Sequence, residues 1–225
     1  MKPVRIIIFA KAPRPGFAKT RLIPALGAAG AAALARQMLD DTLAAALGAV
    51  LGTVELCVTP HPLSSSWRAL ELPPGIELTA QGDGDLGLRM FRAARRAARR
   101  GEAALLIGTD CVGMDPALLR GAADALREAD AVIHPSSDGG YVLLGLARFS
   151  PRLFDGIAWS TDGVAATTTA RIRALGWSLH VGATMHDVDV ADDLRHLAAQ
   201  SSESDSEAAR KLREVRPFRA NTGGV

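Results

Sequence analysis

The sequence predicts an α/β fold: a Rossmann-like, mixed but mostly parallel sheet with helices on both faces. Three observations predict it. Short β-branched or apolar runs alternate with Ala- and Leu-rich stretches of helical period over the first 130 residues. The rhythm breaks after residue 135, where YVLLGLA follows a tight SSDGG turn rather than a helix, so an antiparallel element is expected there. Four apolar runs end in polar or glycine-rich motifs, at 11–22, 81–87, 109–111 and 136–141. Ligands of open α/β sheets bind outside the carboxyl ends of the strands.

In chain order, VRIIIFA (4–10) reads as the first strand. Residues 28–50 read as a helix with Leu34, Met38 and Leu43 roughly on one side. TVELCVT (53–59) and GIELTAQ (75–81) read as strands. Residues 86–100 form a helix with Leu86, Met90, Ala93 and Ala97 on one face and Gly101 as its stop. AALLIGT (103–109) is a strand, and Pro116 opens a helix over 116–128. DAVIHP (130–135) and YVLLGLA (141–147) are strands. A helix over 163–175, a strand over 177–182 and a helix over 190–199 follow. A single domain spans 1–200. From Ser201 the chain is a polar tail (201–225).

A chain of 225 residues buries roughly 70% of its unfolded surface, so its core needs no disulfide or metal. Its net charge of +2 argues against nucleic acid or an acidic membrane as a bulk electrostatic partner. The two cysteines, Cys57 and Cys111, are not in CxxC spacing and read as buried small hydrophobes in strands. No signal-peptide pattern is visible, and no run approaches the roughly 18 apolar residues of a membrane span. A cytoplasmic protein is expected.

KAPRPGFAKTRL carries Lys11, Arg14, Lys19 and Arg21 directly after the first strand, with Gly16 for close backbone approach. Arginine grips phosphate bidentately and lysine supplies a point charge, so a polyphosphate site is expected; a solvated basic loop is the alternative. The loop lacks the Walker A spacing. Asp110, at the end of LLIGTD, suits a hard divalent cation held partly by substrate phosphates, whereas Asp115, before Pro116, reads as a helix cap. HDVDVADDL adds Asp187 and Asp189, read as facing opposite ways so that only one easily reaches a shared metal. Asp192 or Asp193 is read into the first turn of the last helix, and His186 as structural or solvated rather than a ligand. In SSDGGY, Asp138, Gly139, Gly140 and Tyr141 could line a sugar or base site or simply form a hairpin turn. Arg92, Arg96 and Arg99 read as a solvated helix face. Arg89, beside the loop containing Asp85, is the exception and reads as substrate-binding with that aspartate. Trp159 could lie against an acceptor, with Ser160 or Thr161 as a helix cap.

Taken together, FAKAPRPGFAKTRL, GDLGLRM, IGTDCVGMDP, SSDGGYVLLGL, LFDGIAWST and DVDVADDL resemble the bacterial DUF2064 family over residues 4–197. These are glycosyltransferase-A-like proteins that include the group named for arsenosugar biosynthesis. The resemblance implies a nucleotide-diphospho-sugar transferase fold and a divalent-metal-dependent transferase. Asp110 would be the first metal-binding aspartate and Asp187 or Asp189 the late acidic one. Lys11, Arg14, Lys19 and Arg21 match the basic loop. Val112 stands where the family usually has proline, and Val190-Ala191 replaces the usual Thr-Pro; neither removes a candidate ligand.

The expected reaction is glycosyl transfer from a nucleoside diphospho-sugar to an acceptor, with Mg²⁺ or Mn²⁺ on Asp110 and Asp189 and with Asp138 as candidate base. No Ser-His-Asp or Cys-His arrangement suggests a covalent nucleophile. AKTRL also resembles phospholactate guanylyltransferases, which makes nucleotidyl transfer from a nucleoside triphosphate the alternative, although the G-x-G-x-R signature of sugar nucleotidyltransferases is missing. A non-catalytic nucleotide-sugar binder is the third reading.

Overall fold

The computed structural model describes residues 2–194. The C-terminal tail and most of the expected helix at 190–199 lie outside the described residues.

Five strands run in parallel-type succession: β1 (Val4–Lys11), β2 (Gly52–Thr59), β3 (Ile76–Ala80), β4 (Ala103–Ile107) and, beyond a short ribbon strand β5 (Cys111–Val112), β6 (Ala131–Pro135). β7 (Tyr141–Leu146), β8 (Leu179–Val181) and β9 (His186–Asp187) complete the set. The main sheet has the order β3-β2-β1-β4-β7-β6-β8. β7 is its one antiparallel member, pairing Leu106↔Leu144 with β4 and Ile133↔Leu144 with β6. The reversal follows from the tight 136–140 turn, too short for the crossover that a parallel return needs. The expected mixed sheet is the one observed, with strand bounds differing by a residue or two.

β1 is central. Ile6, Ile7 and Ile8 are fully buried because both faces of the sheet are covered. Ile6 and Ile8 pack with Leu43 of α1 (Ile23–Ala49) and Leu119 of α4 (Pro116–Ala125). Ile7 packs the other way, with Met90 and Ala93 of α3 (Leu86–Arg99) and Ile172 of α5 (Val164–Ala174). The strand's two-residue period thus splits one sequence run between two cores. A one-turn helix, α2 (Ser65–Arg68), buries Trp67 against the first core. Asp115 caps α4, accepting the Leu118 N–H at 2.7 Å, as expected.

α1 begins earlier than residue 28 and kinks at Gly27. Within Thr20–Ala49 an 18-residue window has a mean hydropathy of 1.3, so by length and composition this helix could cross a membrane although Arg36, Asp40 and Asp41 interrupt its apolar run. Its Leu39, Leu43 and Ala46 are buried against the sheet, the packing of a core helix.

The arginines of α3 also depart from expectation. Arg96 is only partly exposed: it donates to Glu55, whose side chain is buried in β2, and Thr79 donates to the same carboxylate at 2.8 Å. Buried Arg5 of β1 joins the group, reaching Glu55 at 3.1 Å, Glu77 at 2.7 Å and Glu102 at 2.5 Å, while Arg100 holds Glu77 at 2.8 Å. Arg92 folds onto the carbonyls of Gln81 and Asp83. Of the face that looked free in sequence, Arg92 and Arg96 thus tie α3 to β2, β3 and the 81–83 loop, while Arg99 is exposed as expected.

Removing one partner from a buried ion group strands the others. Arg5→Met is expected to cost about 3–5 kcal/mol in urea unfolding. Hydrogen bonds from Arg5 and then Arg100 lower the Glu77 carboxyl from 4.5 to about 2. Its stabilising contribution is therefore present above about pH 4.5 and fades as pH falls toward 2. Glu77→Gln should flatten the acid limb of a pH–Tm curve over that window and leave the neutral limb's shape unchanged.

Candidate active site

A cleft of about 740 Å³ opens at the carboxyl edge of β1 and β4 and the amino end of β7. It forms where the sheet reverses direction. Its walls include Lys11, Lys19 and Arg21 from the first loop, Asp110 after β4, Asp138 and Tyr141 at the β6–β7 turn, and Asp187 and Asp189 from the late segment.

The late acids reach the cleft through a feature the sequence did not reveal. β5 and β9 form a two-stranded antiparallel ribbon, Cys111↔Asp187 and Val112↔His186, and the Val188 N–H donates to the Asp110 carbonyl at 2.9 Å. The expectation that Asp187 and Asp189 face apart is corrected. A strand's side chains alternate, so i and i+2 share a side, and both carboxylates line the cleft. Asp193 fixes the turn by accepting the N–H groups of Asp189 and Val190, each at 2.8 Å. His186 points its Nδ1 at Ser137 Oγ, 3.1 Å away.

Lys19 joins the loop to these acids. Its ammonium contacts Asp110 at 2.5 Å, the Val188 carbonyl at 2.5 Å and Asp189 at 3.3 Å. Val188 itself is buried with Leu22, Leu34 and Met38, and Val112 packs there, so an apolar cluster clamps the loop to the ribbon from behind. Asp187 carries no such partner cation among its described contacts. Burial, then repulsion from Asp138, pushes its carboxyl up to about 6, with Asp189 and Asp110 adding to the repulsion. Burial raises the Cys111 thiol to about 12, with the charges of Asp187 and Asp110 contributing, so it stays an inert thiol. Cys57 is buried in β2 as expected.

The remaining expected residues divide. Arg14 and Gly16 lie outside the cleft lining. Arg14 stacks on the Phe17 ring at 4.5 Å. Asp85 lines the cleft but also caps α3 through the Leu88 N–H at 2.8 Å. Arg89 lines the cleft, held by the Gly84 carbonyl at 2.9 Å and Gln81 Oε1 at 3.0 Å. Gln81 is a site residue that the sequence reading missed. Buried, it ties the Ala10 and Cys57 carbonyls at the ends of β1 and β2 and turns its own carbonyl to Arg89. A glutamine ending a strand carries no motif; only its neighbours reveal the role.

Asp138 accepts from Ser136 Oγ and from the Gly140 N–H at 2.8 Å, so it does form the hairpin turn, and it lines the cleft as well. Gly140 lines the cleft, whereas Gly139 does not. Gly139 has φ +88°, and a Cβ there would stand 2.0 Å from the Asp162 carbonyl oxygen. Tyr141 is turned inward, its hydroxyl 3.7 Å from Met90 Sδ, and burial raises its phenol. Trp159 lies on Gly87, where a Cβ would sit 2.3 Å from the indole nitrogen, and the ring lines the cleft. Neither Ser160 nor Thr161 caps α5. Gly163 precedes that helix, and Thr161 donates to the Ala158 carbonyl at 2.8 Å.

Among the described residues no three histidine, cysteine or acidic side chains converge to hold a metal. Asp110, Asp187 and Asp189, the candidate metal ligands, therefore do not form a preformed cage. The pair Asp110 and Asp189 shares a cation, and that cation is Lys19.

Comparison with known proteins finds structures of similar fold. A structure from Desulfovibrio desulfuricans G20, provisionally named a nucleotide-diphospho-sugar transferase, is 32% identical, covers 95% of each chain and superposes with a TM-score of 0.87. Rv0371c from Mycobacterium tuberculosis H37Rv, solved in complex with manganese, is 20% identical over 87% of this chain and 98% of that one, with a TM-score of 0.52. A cytidylyltransferase from Leptospira borgpetersenii is 12% identical over 99% and 100%, with a TM-score of 0.60. The last two share the fold. No curated protein matches the sequence.

Gly139→Ala should lower stability by about 1–3 kcal/mol, the cost of a strained backbone position, read as a fall in the urea midpoint. An unchanged midpoint would mean that the 136–140 turn and the Asp162 loop are not packed as described. Residues 42–161 match the family described as an uncharacterized protein conserved in bacteria, DUF2064, and the chain belongs to that family.

Proposed function

We propose that the chain is a nucleotide-sugar-dependent transferase. On this reading it transfers a sugar from a nucleoside diphospho-sugar to an acceptor hydroxyl. The observation that carries the reading is one cleft, at the point where the sheet reverses, lined by both a basic loop and separate carboxylates. A diphosphate with its counter-ion needs both.

Lys11 and Arg21 line the cleft and would bind the diphosphate, and Lys19 contacts Asp110 and Asp189. A divalent cation fits the donor set. Carboxylate oxygens are hard ligands, and Mg²⁺ is usually held by one or two of them with phosphates completing the shell. Asp110 and Asp189 would hold it, with Asp187 nearby. The ammonium already seated on that pair marks a place for positive charge. Mg²⁺ or Mn²⁺, when bound, supplies Lewis-acid stabilisation of the diphosphate's charge.

The chain's own residues then act as follows. The bond from the sugar's anomeric carbon to the diphosphate oxygen breaks, and its electron pair leaves with the diphosphate. Lys11, Lys19 and Arg21 stabilise that growing charge by preorganised electrostatics. The acceptor hydroxyl oxygen bonds to the anomeric carbon, and its proton passes to Asp138. Trp159 and Arg89 would bound the acceptor side and the nucleotide side of the cleft.

Thermal melts against nucleoside di- and triphosphates, each with and without Mn²⁺, test the reading. A ligand at 100 times its Kd adds about 2.7 kcal/mol. Mn²⁺-dependent stabilisation by a diphosphate is expected. Stabilisation by a triphosphate alone would instead favour nucleotidyl transfer with pyrophosphate release, and no shift with any nucleotide would overturn the phosphate site. Once a donor is found, Asp110→Asn should lower turnover by about 10²–10³-fold.

A further inference from the structure

Lys19 is placed unusually for a phosphate-binding lysine. Its side chain is 6% exposed, whereas Asp110 and Asp189 beside it are 48% and 44% exposed. An ammonium has three N–H donors, and here three acceptors meet it: Asp110 Oδ1, Asp189 Oδ1 and the Val188 carbonyl. Its backbone is left-handed, φ 49° and ψ 42°, a conformation that non-glycine residues hold only when their surroundings enforce it. The 3₁₀ turn Thr20–Leu22 follows at once, and Leu22 is anchored in the apolar cluster with Val188. The ammonium is thus delivered to the acid pair by a built arrangement.

We propose that Lys19 is a resident surrogate cation: it neutralises Asp110 and Asp189 until a nucleotide arrives, then transfers to the phosphates and yields the pair to the divalent ion. The proposal rests on the reading of the cleft as a metal–nucleotide site. Two cations cannot share one carboxylate pair without strong repulsion, so free metal binds weakly while Lys19 is in place. Incoming phosphate gives the ammonium a new anionic partner, and the vacated carboxylates become ligands. Lys19 thereby makes metal entry depend on nucleotide, beyond its contact with the phosphates. The cleft never presents a bare metal to water without substrate.

Equilibrium dialysis of Mn²⁺ against the full chain tests this, with circular dichroism confirming the fold of each variant. Without nucleotide, Lys19→Met should bind Mn²⁺ about tenfold tighter than the wild type or better, given how close the like charges would otherwise be. Lys19→Gln, which keeps a donor for the Val188 carbonyl while losing the charge, should do the same and serves if the methionine variant does not fold. Asp110→Asn added to either variant should remove the gain. With a nucleoside diphosphate present, the wild type should bind Mn²⁺ and the order should reverse, because the variants lack the ammonium that grips phosphate. If the wild type binds Mn²⁺ with diphosphate but neither neutral variant binds it more tightly alone, the surrogate-cation role is wrong and the transferase reading stands. If no form binds Mn²⁺ with or without nucleotide, both fall.

Discussion

The contact of the Lys19 ammonium with Asp110, Asp189 and the Val188 carbonyl is the constraint on which the cleft depends. It joins three segments distant in sequence: the loop after β1, the end of β4 and the stretch after β9. Without a cation there, two carboxylates would face each other across a partly desolvated space at a cost in repulsion. The apolar cluster of Leu22, Leu34, Met38 and Val188 holds the same segments from behind, so the polar contact does not have to bear the closure alone. Geometry of this kind, with charges held by packing, suits a site whose task is to stabilise charge that develops during reaction.

A second ionic group lies toward the other end of the strands and does a different job. Arg5, Glu55, Glu77, Glu102, Arg96 and Arg100 knit β1, β2 and β3 to the second half of α3. The first half of α3 borders the cleft, with Asp85 at its cap and Arg89 tied to Gln81. One helix is thus anchored by buried charge at its far end and presents polar groups at its near end. The anchoring fixes where Arg89 and the Gly87–Trp159 contact stand relative to the strand ends.

The relation between the two carboxylate-rich segments explains what could be read in advance and what could not. The strand-end positions of Lys11, Asp110 and Asp138 were legible because apolar runs end abruptly there and α/β sheets place sites at such ends. Cap residues were legible too, since Asp115 before a proline needs only local geometry. The roles of Arg96 and Gln81 were not legible. An arginine on a helix reads as solvated unless one knows that Glu55 is buried beneath it, and a glutamine ending a strand reads as a linker. Arg14 had the right charge in the right loop, but its neighbour Phe17 took it out of the cleft lining.

By itself, then, the sequence determined the class of fold, the order of the seven main-sheet strands and the long helices, and the chemical character of the loops, because these follow from local periodicity, turn chemistry and residue type. Only the tertiary structure decided which of those groups meet. The β5–β9 ribbon brings Asp187 and Asp189 up to Asp110, and the left-handed turn at Lys19 drops an ammonium between two of them. Such contacts span up to 170 residues of chain. They are set by the joint burial of apolar side chains from both ends of the fold, a condition that no local stretch of sequence expresses.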